Sequence, residues 1–166
     1  RTNTLTNGQK NEVPTTPTVD YVRGTSGVAS ETVVFCVDTS GSMRNKVPGS
    51  SLSRLNAVKE ALRVNLQAIQ AAGGRRKVCL IEYQDDIIWH GDCTSYPFEI
   101  DKKLRNDYDG MVAFAKGCAA PQPLNSTYKQ VLGRVNGFQP GGGTYLPPVL
   151  VLATVVAGRE GQGKVI

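Results

Sequence analysis

The chain has 166 residues, of which 40% are hydrophobic and 20% are charged, and its formal net charge is +5. This length and composition suit one ordinary domain with a buried core, which excludes disorder along the whole chain. The basic residues are scattered, and the densest run, Arg75–Lys77, is typical of a solvated loop and not of a specific nucleic-acid surface. The longest apolar stretch, Tyr145–Ala157, is shorter than the roughly 18 residues that a membrane-spanning helix needs.

Residues 1–30 are rich in Thr, Asn, Gly, Ser and Pro, so we expect a linker or N-terminal arm, with Thr18–Val22 as a short edge strand. Because the chain starts without Met and without an apolar leader, we expect it to belong to a larger chain. Glu31–Val37 is dominated by apolar and β-branched residues, which is typical of a strand buried on both faces of a parallel sheet. The polar run Asp38–Ser42 follows it directly, where open α/β sheets place their binding sites.

Helix and strand patterns alternate after this loop. Apolar residues three and four apart predict an amphipathic helix over Ser53–Ala72, and two glycines stop it. Lys77–Tyr83 predicts a second strand, and Ile87–His90 predicts an antiparallel return at the edge of the sheet, with Asp85–Asp86 solvated at the turn between them. A strand, a helix and a strand in this order form a right-handed βαβ unit, with the 31–38 strand central.

The second half of the chain has fewer clear patterns. Asp101–Ala115 can hold one helix of poor period, and Asn125–Val135 predicts another. Two prolines suit the first turn of a helix over Pro147–Val156, and Lys164–Ile166 looks like the start of a further strand. We therefore predict an α/β fold with a doubly wound, mostly parallel sheet, one antiparallel edge strand and helices on both faces, lacking its last strands in this chain.

The chain has four cysteines, and none of them form a C-x-x-C pair. With His90, the only histidine, they make no zinc spacing. Cys36 and Cys79 lie within apolar runs, where a free thiol behaves as a small hydrophobic group. We therefore expect four reduced thiols and a cytoplasmic location, with an extracellular, disulfide-bearing domain as the alternative.

The pattern that indicates chemistry is Asp38-x-Ser40-x-Ser42. One carboxylate and two hydroxyls at alternate positions of a tight loop can converge on a single ion, and such oxygens suit Mg²⁺, or Mn²⁺ or Ca²⁺. Gly41 lets the backbone fold around the ion without a Cβ clash. Taken alone, these residues fit equally well a turn in which Asp38 and Ser40 cap neighbouring backbone groups.

Three segments together resemble a known family. Val33–Met43 resembles the first strand and metal loop of von Willebrand factor A domains, Arg54–Lys59 resembles the start of their first helix, and Gly142–Thr144 resembles their second metal loop. The resemblance covers residues 31–166, which we interpret as one A-like domain, incomplete at its C-terminus. It implies a metal-ion-dependent adhesion site on the doubly wound fold.

The resemblance also implies a role for each site residue. Ser40 and Ser42 would ligate the metal through their hydroxyls. Asp38 would bind it through water or hold the shell, and Thr144 would bind it directly when ligand is present. A metal held mostly by neutral oxygens would keep a position open for an Asp or Glu of a partner protein. The family completes the site with an aspartate loop, which we expect after the strand that starts at Lys164.

We therefore expect a binding module with a Mg-type ion and no enzyme, since nothing places a general base beside a nucleophile. The alternative is a metal-independent scaffold, because Thr18–Tyr21 and the strand after it resemble the trunk region of the inner coat proteins of endoplasmic-reticulum export vesicles. An enzyme that uses Mg²⁺ for phosphoryl chemistry would need a further carboxylate near Asp38. Related A domains also occur fused to circularly permuted Ras-like GTPase domains, but Asn45–Pro48 lacks the aspartate of a guanine-binding motif.

Overall fold

The computed structural model describes residues 31–159 and 163–166, so the predicted arm over 1–30 and its strand at Thr18–Val22 lie outside the described residues. The strands are β1 (Thr32–Asp38), β2 (Lys77–Tyr83), β3 (Ile87–Gly91), β4 (Phe98–Ile100) and β5 (Gly163–Val165). The helices are α1 (Arg54–Ala71), α2 (Lys102–Arg105), α3 (Tyr108–Gly117), α4 (Leu124–Gly137) and α5 (Pro147–Gly158), and a 3-10 turn spans Gly41–Arg44.

One five-stranded sheet forms the centre of the described chain, in the order β4-β3-β2-β1-β5. β1 pairs in parallel with β2 on one side and with β5 on the other. Backbone hydrogen bonds extend the second pairing: Ile166 N–H donates to the Val34 carbonyl at 2.9 Å, and Cys36 N–H donates to the Ile166 carbonyl at 2.7 Å. The predicted central position of the 31–38 strand, with the 77–83 strand beside it, is confirmed.

The edge of the sheet differs from the prediction. Ile87–Gly91 is not the edge strand, because β4 pairs with it in antiparallel register, with Ile87 opposite Ile100 and Trp89 opposite Phe98. Among the described strands, two pairings are parallel and two are antiparallel, because β3 alone runs against the other four. The sheet is therefore mixed with one antiparallel strand, as predicted, but this strand lies inside the sheet and not at its edge. β4 has three residues, and only Ile100 is buried, so it is too short to show the alternation that predicts a strand.

Two short helices replace the single helix predicted over Asp101–Ala115. Asp101 Oδ1 accepts a hydrogen bond from Leu104 N–H at 2.7 Å and caps α2, and Asp107 Oδ1 accepts one from Gly110 N–H at 2.9 Å and caps α3. An aspartate at an N-cap satisfies an unpaired backbone donor and marks a new helix start. Because Asp107 starts a second helix within the segment of weak periodicity, two helices form there instead of one.

Helices cover both faces of the sheet, as predicted. Successive strand residues point to opposite faces, and the neighbours Val34 and Phe35 of β1 belong to different hydrophobic clusters. α1 and α4 pack on the Phe35 face, and α3 and α5 pack on the Val34 face. The predicted helices at 53–72, 125–135 and 147–156 correspond to α1, α4 and α5 within two residues at each end.

Candidate metal centre

The first loop of the site begins where β1 ends. Asp38 Oδ1 accepts a hydrogen bond from the Ser40 N–H at 2.7 Å, which turns the chain and brings the next two hydroxyls together. Ser40 Oγ and Ser42 Oγ lie 3.2 Å apart. Ser40 is buried, whereas Ser42 is exposed. The three predicted residues of this loop therefore form one polar cluster that is open on the Ser42 side.

Three hydrogen bonds join a second loop, between α4 and α5, to the first one. Gly141 N–H donates to the Thr39 carbonyl at 2.7 Å, and Gly41 N–H donates to the Gly142 carbonyl at 2.9 Å. The Arg44 guanidinium donates to the Pro140 carbonyl at 2.8 Å. The two loops that the sequence predicts to form the site are therefore neighbours at the carboxyl end of β1.

Thr144 lies in the exposed part of this second loop, two residues after Gly142. Within the described residues, its hydroxyl has no hydrogen-bond partner. The backbone of the second loop therefore contacts the first loop, but the Thr144 side chain makes no hydrogen bond to Ser40 or Ser42. The hydroxyl is exposed and available to a ligand.

The turn between β2 and β3 adds a carboxylate that the sequence interpretation treated as solvated. A Cβ atom on Gly142 would lie 2.6 Å from Asp85 Oδ2, and one on Gly143 would lie 2.5 Å from Asp85 Oδ1. The Asp85 side chain therefore packs directly on the glycine loop. The sequence could have indicated that Asp85 lies near the site, because Asp38 and Asp85 stand at the carboxyl ends of two adjacent parallel strands.

The electrostatics of the first loop also involve β2. Tyr83 is opposite Asp38 in the β1–β2 register, and its carbonyl accepts a hydrogen bond from Thr39 N–H at 2.9 Å. Burial, and then the negative charge of Asp38, raise the pKa of the Tyr83 phenol. The phenol therefore stays neutral at neutral pH and does not compete with Asp38 for a cation.

The donor set determines which ion these residues suit. The described part of the chain has no group of three or more His, Cys, Asp or Glu side chains that could hold a metal ion. The candidate centre instead offers two hydroxyls 3.2 Å apart and a carboxylate with one oxygen engaged by a backbone donor. Hard oxygen donors of this kind fit Mg²⁺, Mn²⁺ or Ca²⁺.

The only histidine belongs to a different environment. His90 is buried, its Nε2 lies 3.0 Å from Glu82 Oε2, and its ring centroid lies 5.6 Å from that of Phe138. With Cys93 and Arg134 these residues line a cavity of about 510 Å³ between β3 and α4. The ring therefore packs on Phe138 in the interior.

All four cysteines are free. Burial raises the pKa of the Cys36 thiol to about 11 and that of the Cys93 thiol to about 12, and it also raises the pKa values of Cys79 and Cys118. Neutral thiols are poor nucleophiles and poor metal ligands. Cys79 and Cys93 therefore serve as small core side chains at neutral pH, and half-buried Cys36 packs against the core.

Comparisons with known proteins find distant similarities. No family model matches the chain. It is 20% identical over 192 residues to "Circularly permutated Ras protein 1" of Dictyostelium discoideum, across 95% of this chain and 23% of that protein. The chain therefore spans less than a quarter of that relative's length.

No described helix is long and apolar enough to cross a membrane.

Among solved structures, the chain is similar to the PilB minor pilin from Streptococcus sanguinis. The TM-score is 0.53 and the sequence identity is 14%, over 88% of this chain and 30% of that chain. At this identity the similarity concerns the fold alone. It shows that the α/β arrangement of the described residues recurs within a larger protein.

Proposed function

We propose that this chain is a metal-dependent protein-interaction module, in which a Mg-type ion at Asp38, Ser40, Ser42 and Thr144 binds an acidic side chain of a partner. The observation that carries the proposal is the pair of loops at the end of β1. Two backbone hydrogen bonds hold them together, and the hydroxyls of Ser40 and Ser42 lie 3.2 Å apart there.

The strand order supports this choice of site. From β1 the chain passes to β2 on one side, and it later reaches β5 on the other side of β1. In open α/β sheets, ligands bind outside the carboxyl end of the strand at which the connections change side. We therefore propose that the sheet is of the doubly wound, A-like type, with Asp38 at this point.

The residues of the two loops have complementary tasks in the proposed centre. Asp38 supplies a negative charge, and its bond to the Ser40 N–H fixes the direction of its carboxylate. Buried Ser40 has little rotational freedom, whereas exposed Ser42 and Thr144 face an incoming ligand. When bound, a divalent cation would supply a Lewis acid with a position open to a carboxylate. Because the hydroxyls are neutral, a partner Asp or Glu would add the charge that the loops lack.

Two further features belong to the proposal. The resemblance implies an aspartate loop after the strand at Lys164, and such a loop would complete the shell of the ion. The four free thiols support a reducing compartment, and we propose a cytoplasmic location on that basis.

Titration with Mn²⁺, followed by calorimetry and by the electron paramagnetic resonance of the free ion, tests the metal centre. We expect one saturable site, and we expect Asp38→Ala to weaken it at least about tenfold, because charged ligands dominate the affinity of hard-ion sites. Asp109→Ala is the matched control, since it removes an exposed carboxylate from α3, outside the two loops. Equal binding by wild type and Asp38→Ala would contradict the proposal.

A metal-independent scaffold is the second candidate, and one observation favours it. Asp38 Oδ1 is satisfied by the Ser40 N–H, and the two serine hydroxyls are within hydrogen-bond distance of each other, so the loop is stable without an ion. A scaffold would bind its partner equally well with and without a chelator. Loss of partner binding in EDTA, with recovery on adding Mg²⁺, would exclude this candidate.

A further inference from the structure

The β2–β3 turn and the glycine loop are in close contact. Asp85 is exposed, yet both of its carboxylate oxygens lie where side chains on Gly142 and Gly143 would begin, at 2.6 and 2.5 Å from the respective Cβ positions. The backbone nitrogen of Asp85 lies 3.2 Å from the Cβ position of Gly142. The glycines therefore leave space that the aspartate fills.

Arg105 and Tyr145 hold the two sides of this contact together. The Arg105 guanidinium donates a hydrogen bond to the Asp85 carbonyl. Its Cζ lies 4.8 Å from the centroid of the Tyr145 ring, which directly follows Thr144. The Tyr145 hydroxyl donates to Asn106 Oδ1 at 2.9 Å. A cation over an aromatic ring is attracted to its face. One arginine thus connects the turn that carries Asp85 with the residue after Thr144.

From these contacts we propose that Asp85 is a positioning residue of the candidate cation centre. Its carboxylate holds Gly142 and Gly143 in place, and through them it sets where Thr144 lies relative to Ser40 and Ser42. Its negative charge also adds to the field that attracts a cation to these loops. The part that concerns the cation rests on the proposed function, whereas the loop contact is a property of the metal-free protein.

Amide hydrogen exchange in metal-free protein tests the loop contact. The amides of Gly41 and Gly141 report it, because their hydrogen bonds join the two loops. We expect Asp85→Ala to speed exchange at both amides about fivefold, while Leu66 in α1 exchanges as in wild type, since opening is local. Asp86→Ala is the matched control, because it removes the neighbouring carboxylate of the same turn, which lies 3.9 Å from the Arg105 guanidinium and does not contact the glycines. Unchanged exchange in Asp85→Ala would overturn the inference, whatever the protein does with metal.

Mn²⁺ titration of the same variants tests the role in the cation centre. We expect affinity to fall about fivefold in Asp85→Ala and to change less than about twofold in Asp86→Ala. Asp85→Asn keeps the shape and should restore amide protection, with affinity about threefold below wild type because the charge is lost. Faster exchange with unchanged Mn²⁺ affinity would overturn the role in the cation centre. Failure of wild type to bind Mn²⁺ would overturn the proposed function and this role together, while the exchange rates would still decide the loop contact.

Discussion

Replacing Gly142 by alanine tests the geometry on which the candidate site depends. Gly142 has a φ of 56°, in the left-handed region that side chains disfavour, and its carbonyl accepts the hydrogen bond from Gly41 N–H. The new methyl group would also lie 2.6 Å from Asp85 Oδ2 and 3.0 Å from Asp85 Cγ. The substitution therefore strains the backbone and pushes against the β2–β3 turn at the same time.

The backbone strain and the steric contact both lower the free energy of unfolding. A non-glycine residue in the left-handed region costs about 1–2 kcal/mol. Forcing a methyl group into filled space costs about 1–3 kcal/mol, but the carboxylate can swing towards solvent and relieve part of that cost. We expect Gly142→Ala to lower the free energy of unfolding by about 2–3 kcal/mol. With Asp85→Ala also present, the cost should fall by about 1 kcal/mol, because only the strained φ and the backbone contact remain.

Urea unfolding, followed by circular dichroism, measures both values. Gly133→Ala is the control, because a methyl group there lies on α4 with no heavy atom within 4 Å, and it should stabilise the protein by about 0.5–1 kcal/mol. A cost below about 0.5 kcal/mol for Gly142→Ala would refute the reasoning, since a loop held as described cannot absorb both effects. Additive effects of Gly142→Ala and Asp85→Ala would refute the contact between them.

Three further measurements address the fold. Leu66→Ala should cost about 2–5 kcal/mol, because Leu66 is fully buried between α1 and the sheet, and a urea midpoint equal to that of wild type would contradict this. Ser53→Ala should cost about 1 kcal/mol, because it removes the cap on Asn56 N–H; Ser51→Ala, in the preceding loop, is the control. The free energy of unfolding should fall as the pH rises above 9.0, because burial raises the pKa of the Cys36 thiol to about 11, whereas the same thiol ionises near pH 9.0 in the unfolded chain. If Cys36→Ala loses stability with pH as steeply as wild type, this explanation is wrong.

Local patterns determine most elements of this chain. The stripe from Leu55 to Ile69 predicts α1, and the structure begins that helix at Arg54, directly after its N-cap Ser53. The apolar runs predict β1 and β2 and their parallel pairing, because only a sheet covered on both faces buries such runs. The alternate placing of Asp38, Ser40 and Ser42 likewise predicts one polar cluster, since a tight turn of five residues leaves these side chains few other positions.

Contacts between distant segments were decided only by the tertiary structure. β4 forms because β3 offers it a free edge to pair with, and this pairing buries Ile100 opposite Ile87. A strand of three residues is too short to show a periodicity that would predict it. The place of Asp85 against Gly142 depends on a turn and a loop that lie 57 residues apart in the sequence. Sequence periodicity reports which face of an element is buried, but not which loop meets which turn. That meeting is set by strand order and register, and these depend on the packing of the whole sheet.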